Sequence, residues 1–242
     1  MHKLAVHKIP SIESKSMIQL EHHSPVRRGI VSTAHPSAED QVIYFDVIQK
    51  EVGVLDKARE QTLKTFTVDC HQDPLTPGPI AVDAHGRNAL VLSRASRFED
   101  NKLLRINLET GEQTTVHESA GPGWLMGQFL DDNILVFEQR LGDEPSFSVR
   151  RNDKIIWNCA GTQPMVLPQI WDNEFAIMLA CTKPNPLTGT GPIQLCALEI
   201  LSGTLFALTS IEGHRLSLRK NVIRVEQRNQ NAHDFALTFK TS

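Results

Sequence analysis

The chain has 242 residues, a hydrophobic share of 40% and a formal charge of −3. That apolar content supports a sizeable core and excludes global disorder, while the near-neutral charge excludes a nucleic-acid affinity spread over the whole surface. Aromatics at 6%, with a single tyrosine, exclude a binding platform paved with rings.

Met1 to Ser14 mixes His2, Lys3, His7, Lys8 and Glu13 with few apolar residues, so it lacks the apolar region of a secretory leader. No run approaches the ~18 apolar residues of a spanning helix. The expectation is a soluble, cytoplasmic protein. Lys3 to Ile9 is strand-like without a nearby partner. Ser16 to Leu20 reads as an innermost strand with a turn near Ser24-Pro25, Gly29 to Ala34 as a second strand and Val42 to Ile48 as a third. Val52 to Lys64 fits either a short helix or an elongated outer hairpin.

Ile80 to Val116 carries the clearest pattern. Ile80-Ala81-Val82 is a strand, Asp83 to Arg87 a turn and Ala89 to Ser93 a second strand. The polar stretch Arg94 to Asn101 follows, then the strand Lys102 to Leu108, the turn Glu109-Thr110-Gly111 and the strand Glu112 to Val116. Turns matching His85-Gly86 recur at Asp131-Asp132-Asn133, Asp172-Asn173 and Arg219-Lys220-Asn221, about 41 to 47 residues apart. A second set recurs at Gly111, Asn152-Asp153 and Leu201-Ser202-Gly203. Gly, Asn and Asp between β-favouring runs are the chemistry of tight hairpins. The units fall at approximately 15–69, 79–118, 123–160, 164–209 and 213–241. The last has one strand too few and the first one too many. The expected fold is therefore an all-β, five-bladed β-propeller of four-stranded antiparallel blades in a single domain over 1–242, its last blade completed by Lys3 to Ile9.

The segment Asp83 to Val116, with Lys102-Leu103-Leu104-Arg105-Ile106-Asn107-Leu108-Glu109-Thr110-Gly111-Glu112, resembles TolB-like and dipeptidyl-peptidase-like (WD-repeat-like) propeller blades. Gln194 to Thr209, with Ser202-Gly203 and Leu208-Thr209, looks similar; the likeness covers about two blades. The Asp-Gly turn usual in that group is replaced by His85-Gly86, Asp132-Asn133 and Asp172-Asn173. The resemblance implies architecture. Its members include peptidase gates, periplasmic binding modules and interaction platforms, so activity must be argued from a site.

Phosphate-loop, dinucleotide, H-E-x-x-H and G-x-S-x-G signatures are absent. Cys159, Cys181 and Cys196 sit in strand-like segments as small buried hydrophobes. Cys70-His71 beside Asp73 lacks an orienting third group for thiol chemistry. Adjacent His22-His23 would point to opposite faces of a strand and has no partner at ligand spacing. No metal or cofactor is expected. Asp83, Asp131, Asp132, Asp172 and Glu174 could serve a carboxylate-based glycoside hydrolase or lyase in a central channel, but each lies in a hairpin turn, where Asp satisfies its own backbone.

The two ends of the chain are basic, with Arg27, Arg28, Arg215, Arg219 and Lys220 among them. That composition leaves nucleic-acid binding as a further alternative. Trp and Arg are enriched at binding hot spots, which singles out Arg94, Arg97, Trp124 and Arg140 in or beside the loops at the channel mouth; Trp124 also fits as core filling. The function expected is a non-enzymatic scaffold or binding module for another protein, acting as a monomer or within a hetero-complex.

Overall fold

The computed structural model describes residues 3–9, 30–72, 80–94, 100–141, 146–160, 168–181, 193–211, 215–219, 221–226 and 232–240. The readings placed on Ser16 to Leu20, His22-His23, Arg27, Arg28, Asp73, Arg97 and Lys220 lie outside them, as do the side chains of Cys159, Cys181, Arg215 and Arg219. Every regular element among the described residues is a strand, and all pairings are antiparallel.

The chain divides into two compact units, His22–Asn158 and Met1–Glu21 with Cys159–Ser242. The first unit carries the sheet β2 (Ile30–Ala34), β3 (Gln41–Asp46), β4 (Glu51–Asp56) and β5 (Gln61–Thr67). Next is the sheet β6 (Ala81–Val82), β7 (Asn88–Arg94), β8 (Asn101–Asn107) and β9 (Gln113–Ser119). The third is β10 (Gly123–Leu130), β11 (Asn133–Arg140), β12 (Ser146–Arg151) and β13 (Lys154–Ala160). In each, strand order follows chain order.

The second unit holds the sheet β14 (Gln169–Trp171), β15 (Phe175–Cys181), β16 (Ile193–Glu199) and β17 (Leu205–Ser210). Its other sheet contains β18 (Arg215–Arg219), β19 (Val222–Glu226) and β20 (Ala232–Lys240), in the order β1-β20-β19-β18. β1 (Lys3–Ile9) lies on β20 from Lys3 against Lys240 to Ile9 against Asp234.

The structure corrects the reading of the first sheet. Ile30–Ala34 is its first strand and not its second, and Val52 to Lys64 supplies the β4–β5 hairpin in place of a helix. The outer hairpin has one geometry in three sheets. An acceptor side chain or carbonyl at Asp56, Asn107 or Glu199 is followed four residues later by a left-handed residue, Glu60 (φ 51°), Gly111 (φ 78°) or Gly203 (φ 72°). Asp56 Oδ1 accepts the Arg59 N–H and Asn107 Oδ1 accepts those of Glu109 and Thr110. Glycine is the residue that adopts this φ at least cost. The outer pair of each of these sheets carries a register shift, at Val54/Leu55, Leu103/Leu104 and Leu195/Cys196, which increases local twist.

Strand alternation decides the packing. Ile43, Phe45, Val52 and Val54 meet Ala89, Val91, Leu104 and Ile106 between the first two sheets. The opposite face of β7 and β8, Leu90, Leu92 and Leu103, packs on Leu125, Ile134 and Val136 of the third. Gly127 permits that approach: a Cβ there would stand 2.5 Å from Leu103 Cδ2 and 3.0 Å from Leu90 Cδ1. In the second unit Trp171, Phe175, Ile177 and Leu195 pack on Leu216, Ile223, Val225 and Leu237. The outer strands β5 and β9 are largely exposed, so the first two sheets are buried at their middle strands and wet at their rim.

Candidate functional site

The C-terminal end of β7 and of β9 and the start of β10 lie at one end of the first unit, together with the end of β11. The apolar seam described above stops short of this end. β7 continues the parity of Leu90 and Leu92 to Arg94, and the register places Arg94, Asn101 and Ser119 in one row across three strands. From the facing sheet β11 continues Ile134 and Val136 to Glu138 and Arg140, beside Ser148 of β12. A polar layer therefore caps the seam.

Glu138 is the centre of that layer, with its side chain 2% exposed. Its Oε1 accepts from Ser119 Oγ at 2.5 Å and from Arg140 Nε at 2.7 Å. Its Oε2 lies 3.3 Å from His117 Nε2 and 3.6 Å from Arg150 Nε. Burial would raise the carboxyl's pKa, but hydrogen bonds from His117, Ser119 and Arg140 together with the Arg140 charge hold it well below the usual carboxylate range. A carboxylate so held is neither a proton donor nor a base near neutrality. It is a clasp, joining β9 of one sheet to β11 of the next.

The adjoining loop is tied from both sides. Gly121 N–H donates to Asp100 Oδ1 at 2.8 Å, and Leu141 N–H donates to the Pro122 carbonyl at 2.9 Å. Leu141 is 45% exposed and the Arg140 side chain 49%. Arg94 is half-buried, and no ion pair or hydrogen bond holds its guanidinium among the described residues, although its backbone N–H donates to the His71 carbonyl.

Of the residues singled out from the sequence, Arg94 and Arg140 thus share one inter-sheet layer. Trp124, paired with Gln139, lies on the opposite face of β10, where it stacks on Phe147 (centroids 6.3 Å apart) in a row completed by Trp157. Sequence reasoning missed Glu138, His117 and Arg150. The available signal was a glutamate at core parity directly after the apolar run Ile134 to Phe137, where a charge needs partners.

The other candidates are accounted for locally. Asp83 accepts from Arg87 N–H at 2.8 Å and Asn88 Nδ2 at 2.6 Å; burial opposes its charge, but these bonds lower its pKa. Asp131, Asp172 and Asn173 adopt positive φ in their turns. Asp83 and Asp132 lie in the first hairpins of different sheets, and Asp172 and Glu174 lie in the β14–β15 turn. Cys70 is buried at 1% exposure, and burial pushes its thiol up to about 11 against the lowering effect of Lys50. The segment around it is better supported than a free loop, since His71 N–H donates to Ser93 Oγ and Gln72 Nε2 donates to the Leu92 carbonyl. Among the described residues no group of three His, Cys, Asp or Glu is placed to hold a metal, and no helix is long and apolar enough to cross a membrane.

The sequence matches no family model and no curated protein. The fold does have solved counterparts. The chain is similar to the hydrazine synthase of Kuenenia stuttgartiensis, with 12% identity over 82% of this chain and 61% of that one and a TM-score of 0.56. TolB from Acinetobacter baumannii aligns at 10% identity over 86% of this chain and 54% of its own, with a TM-score of 0.51. The β-propeller domain of Cps50 (Swd1) from Myceliophteria thermophila aligns at 10% identity over 96% of this chain and 68% of its own, with a TM-score of 0.52. The chain spans less than two thirds of the first two proteins. At these identities the likeness defines the fold: antiparallel four-stranded sheets of the propeller kind, similar to TolB and to WD-repeat-like propellers.

Proposed function

We propose that the chain is a non-enzymatic propeller of five blades, closed through β1, that binds another protein with the loops at the Arg94–Arg140 end. The observation that carries this reading is the state of Glu138. Among the described residues, the most deeply buried acid at that end is paired with Arg140 and Arg150, bonded by His117 and spent on joining two sheets, while the Arg140 side chain and Leu141 are displayed beside the tied Gly121-Pro122 turn. Arginine is among the residue types enriched at protein-binding patches, and Leu141 adds exposed apolar area beside it. A cytoplasmic location belongs to the same proposal and draws support from the buried free thiol of Cys70.

Site-specific photocrosslinkers at Leu141 and, for comparison, at Asp153 on the far end of the same sheet test the reading. A partner band formed from position 141 and not from position 153 is the expected result. Turnover of aryl glycosides that is lost on Asp83→Asn or Asp132→Asn would overturn it in favour of carboxylate catalysis.

A further inference from the structure

The protein-binding reading leaves the partner's chemistry open, and the polar layer limits it. Among the described residues, the charges facing into the layer from both sheets are Arg94, Arg140 and Arg150 against Glu138, with Asp100 accepting the Gly121 N–H and His117 turned onto Glu138. Lys102 and Glu118 alternate to the other face and pair with each other at 2.9 Å. Among the described residues the layer therefore carries three guanidiniums against the carboxylates of Glu138 and Asp100.

The layer already shows how a carboxylate is bound. Glu138 engages Arg140 through Nε alone, at 2.7 Å. The two terminal nitrogens of the half-exposed guanidinium remain to receive a second carboxylate in the planar fork geometry. Arg94 offers a whole guanidinium. Leu141 adds an exposed apolar contact beside Arg140.

Resting on the protein-binding reading, we propose that this layer receives an extended acidic segment of a partner protein, with carboxylates on Arg94 and Arg140 and one apolar side chain on Leu141. Arg94 and Arg140 lie on facing sheets, which pack about 10 Å apart with strands about 4.8 Å apart, so their separation is on the order of 10–15 Å. An extended chain rises about 3.3 Å per residue, so carboxylates about four residues apart, on one side of the segment, reach both. Nucleic acid fits less well. Tight binding to it draws on about six to ten phosphate contacts, and the aromatic row of Trp124 and Phe147 faces away from the arginines.

Fluorescence anisotropy with a labelled decapeptide carrying glutamates at alternate positions around a central leucine tests the proposal. The glutamate peptide should bind, and the matching glutamine peptide should bind at least about tenfold more weakly. Arg94→Gln should weaken the glutamate peptide about five- to tenfold with the melting temperature unchanged, because among the described residues no hydrogen bond or ion pair involves the Arg94 guanidinium. Arg140→Gln should weaken it further, but it also loosens Glu138, so Arg94 is the decisive variant. Equal binding of the two peptides, indifference to Arg94→Gln, or tighter binding of oligothymidylate than of the glutamate peptide overturns the proposal. A displayed random peptide library separates the two levels. If it yields neutral or basic binders that Leu141→Asp abolishes, the protein-binding reading stands and the acidic partner falls. If it yields none and the glutamate peptide also fails, both fall.

Discussion

Replacing Glu138 by Gln keeps the shape of the clasp and removes its charge. Arg140, half-exposed, is rehydrated at small cost. Arg150, 20% exposed with a buried Nε, loses its ion-pair partner. Removing one member of a buried ion pair costs about 3–5 kcal/mol, and the rehydration of Arg140 brings the expectation for Glu138→Gln to about 2–3 kcal/mol. With a urea m-value of about 2–3 kcal/mol per molar for a chain of this size, the midpoint should fall by about 1 M at pH 7. The pH dependence identifies the cause. The folded carboxyl titrates below its ordinary value, so its stabilisation is fully present above the unfolded glutamate pKa of about 4.3 and is lost as pH falls from there toward the folded pKa. The gap between wild type and Glu138→Gln should be widest above about pH 5.5 and narrow steadily below about pH 4.5. Urea titrations followed by tryptophan fluorescence between pH 7 and pH 3.5 read both quantities. A gap that does not change with pH, or no gap, refutes the clasp.

Three further outcomes follow from the packing. Gly127→Val, whose Cβ would meet Leu103 at 2.5 Å, should destabilise by about 1–3 kcal/mol through overpacking, seen as a lower melting temperature. The Cys70 thiol, buried and raised to about 11, should be inert to a thiol-specific reagent at pH 8 in the native protein and react once urea unfolds it; rapid native labelling at Cys70 would contradict its burial. Asp83→Ala removes the acceptor for the Arg87 N–H and Asn88 Nδ2 and should cost about 0.5–2 kcal/mol, a loss that shrinks on acidification through pH 4 because the Asp83 pKa is lowered in the fold.

What could be read from the sequence depended on whether geometry left a chemical trace. Gly111 and Gly203 mark left-handed positions with the residue that suits them, so the outer hairpins of their sheets were visible. The same position in the first sheet is Glu60 (φ 51°), and the preceding turn places Lys50 (φ 55°) there. Neither residue signals a turn. For that reason Val52 to Lys64 stayed ambiguous and the strand Ile30–Ala34 was assigned one place too late. The site was less legible still. Arg94 and Arg140 could be named by residue type, but their common layer depends on two strands from different sheets having the right parity. Glu138 depends on Ser119 and His117, 19 and 21 residues earlier on a neighbouring sheet. Trp124 shows the limit of residue type alone, since one step of alternation turns it to the other face.

The pairing of Lys3 with Lys240 and of Ile9 with Asp234 also sets an order of events. The unit His22–Asn158 takes its sheets in the order in which they are synthesised, whereas β1 belongs to the unit whose remainder follows residue 158. β1 is made before all of its partners and must wait unpaired for β20. A product cut short before residue 232 contains no strand for β1 to join. Protection of this exposed strand edge is thereby coupled to synthesis of residues 232–240, and products cut short before them keep the open edge that promotes aggregation and recognition by quality control.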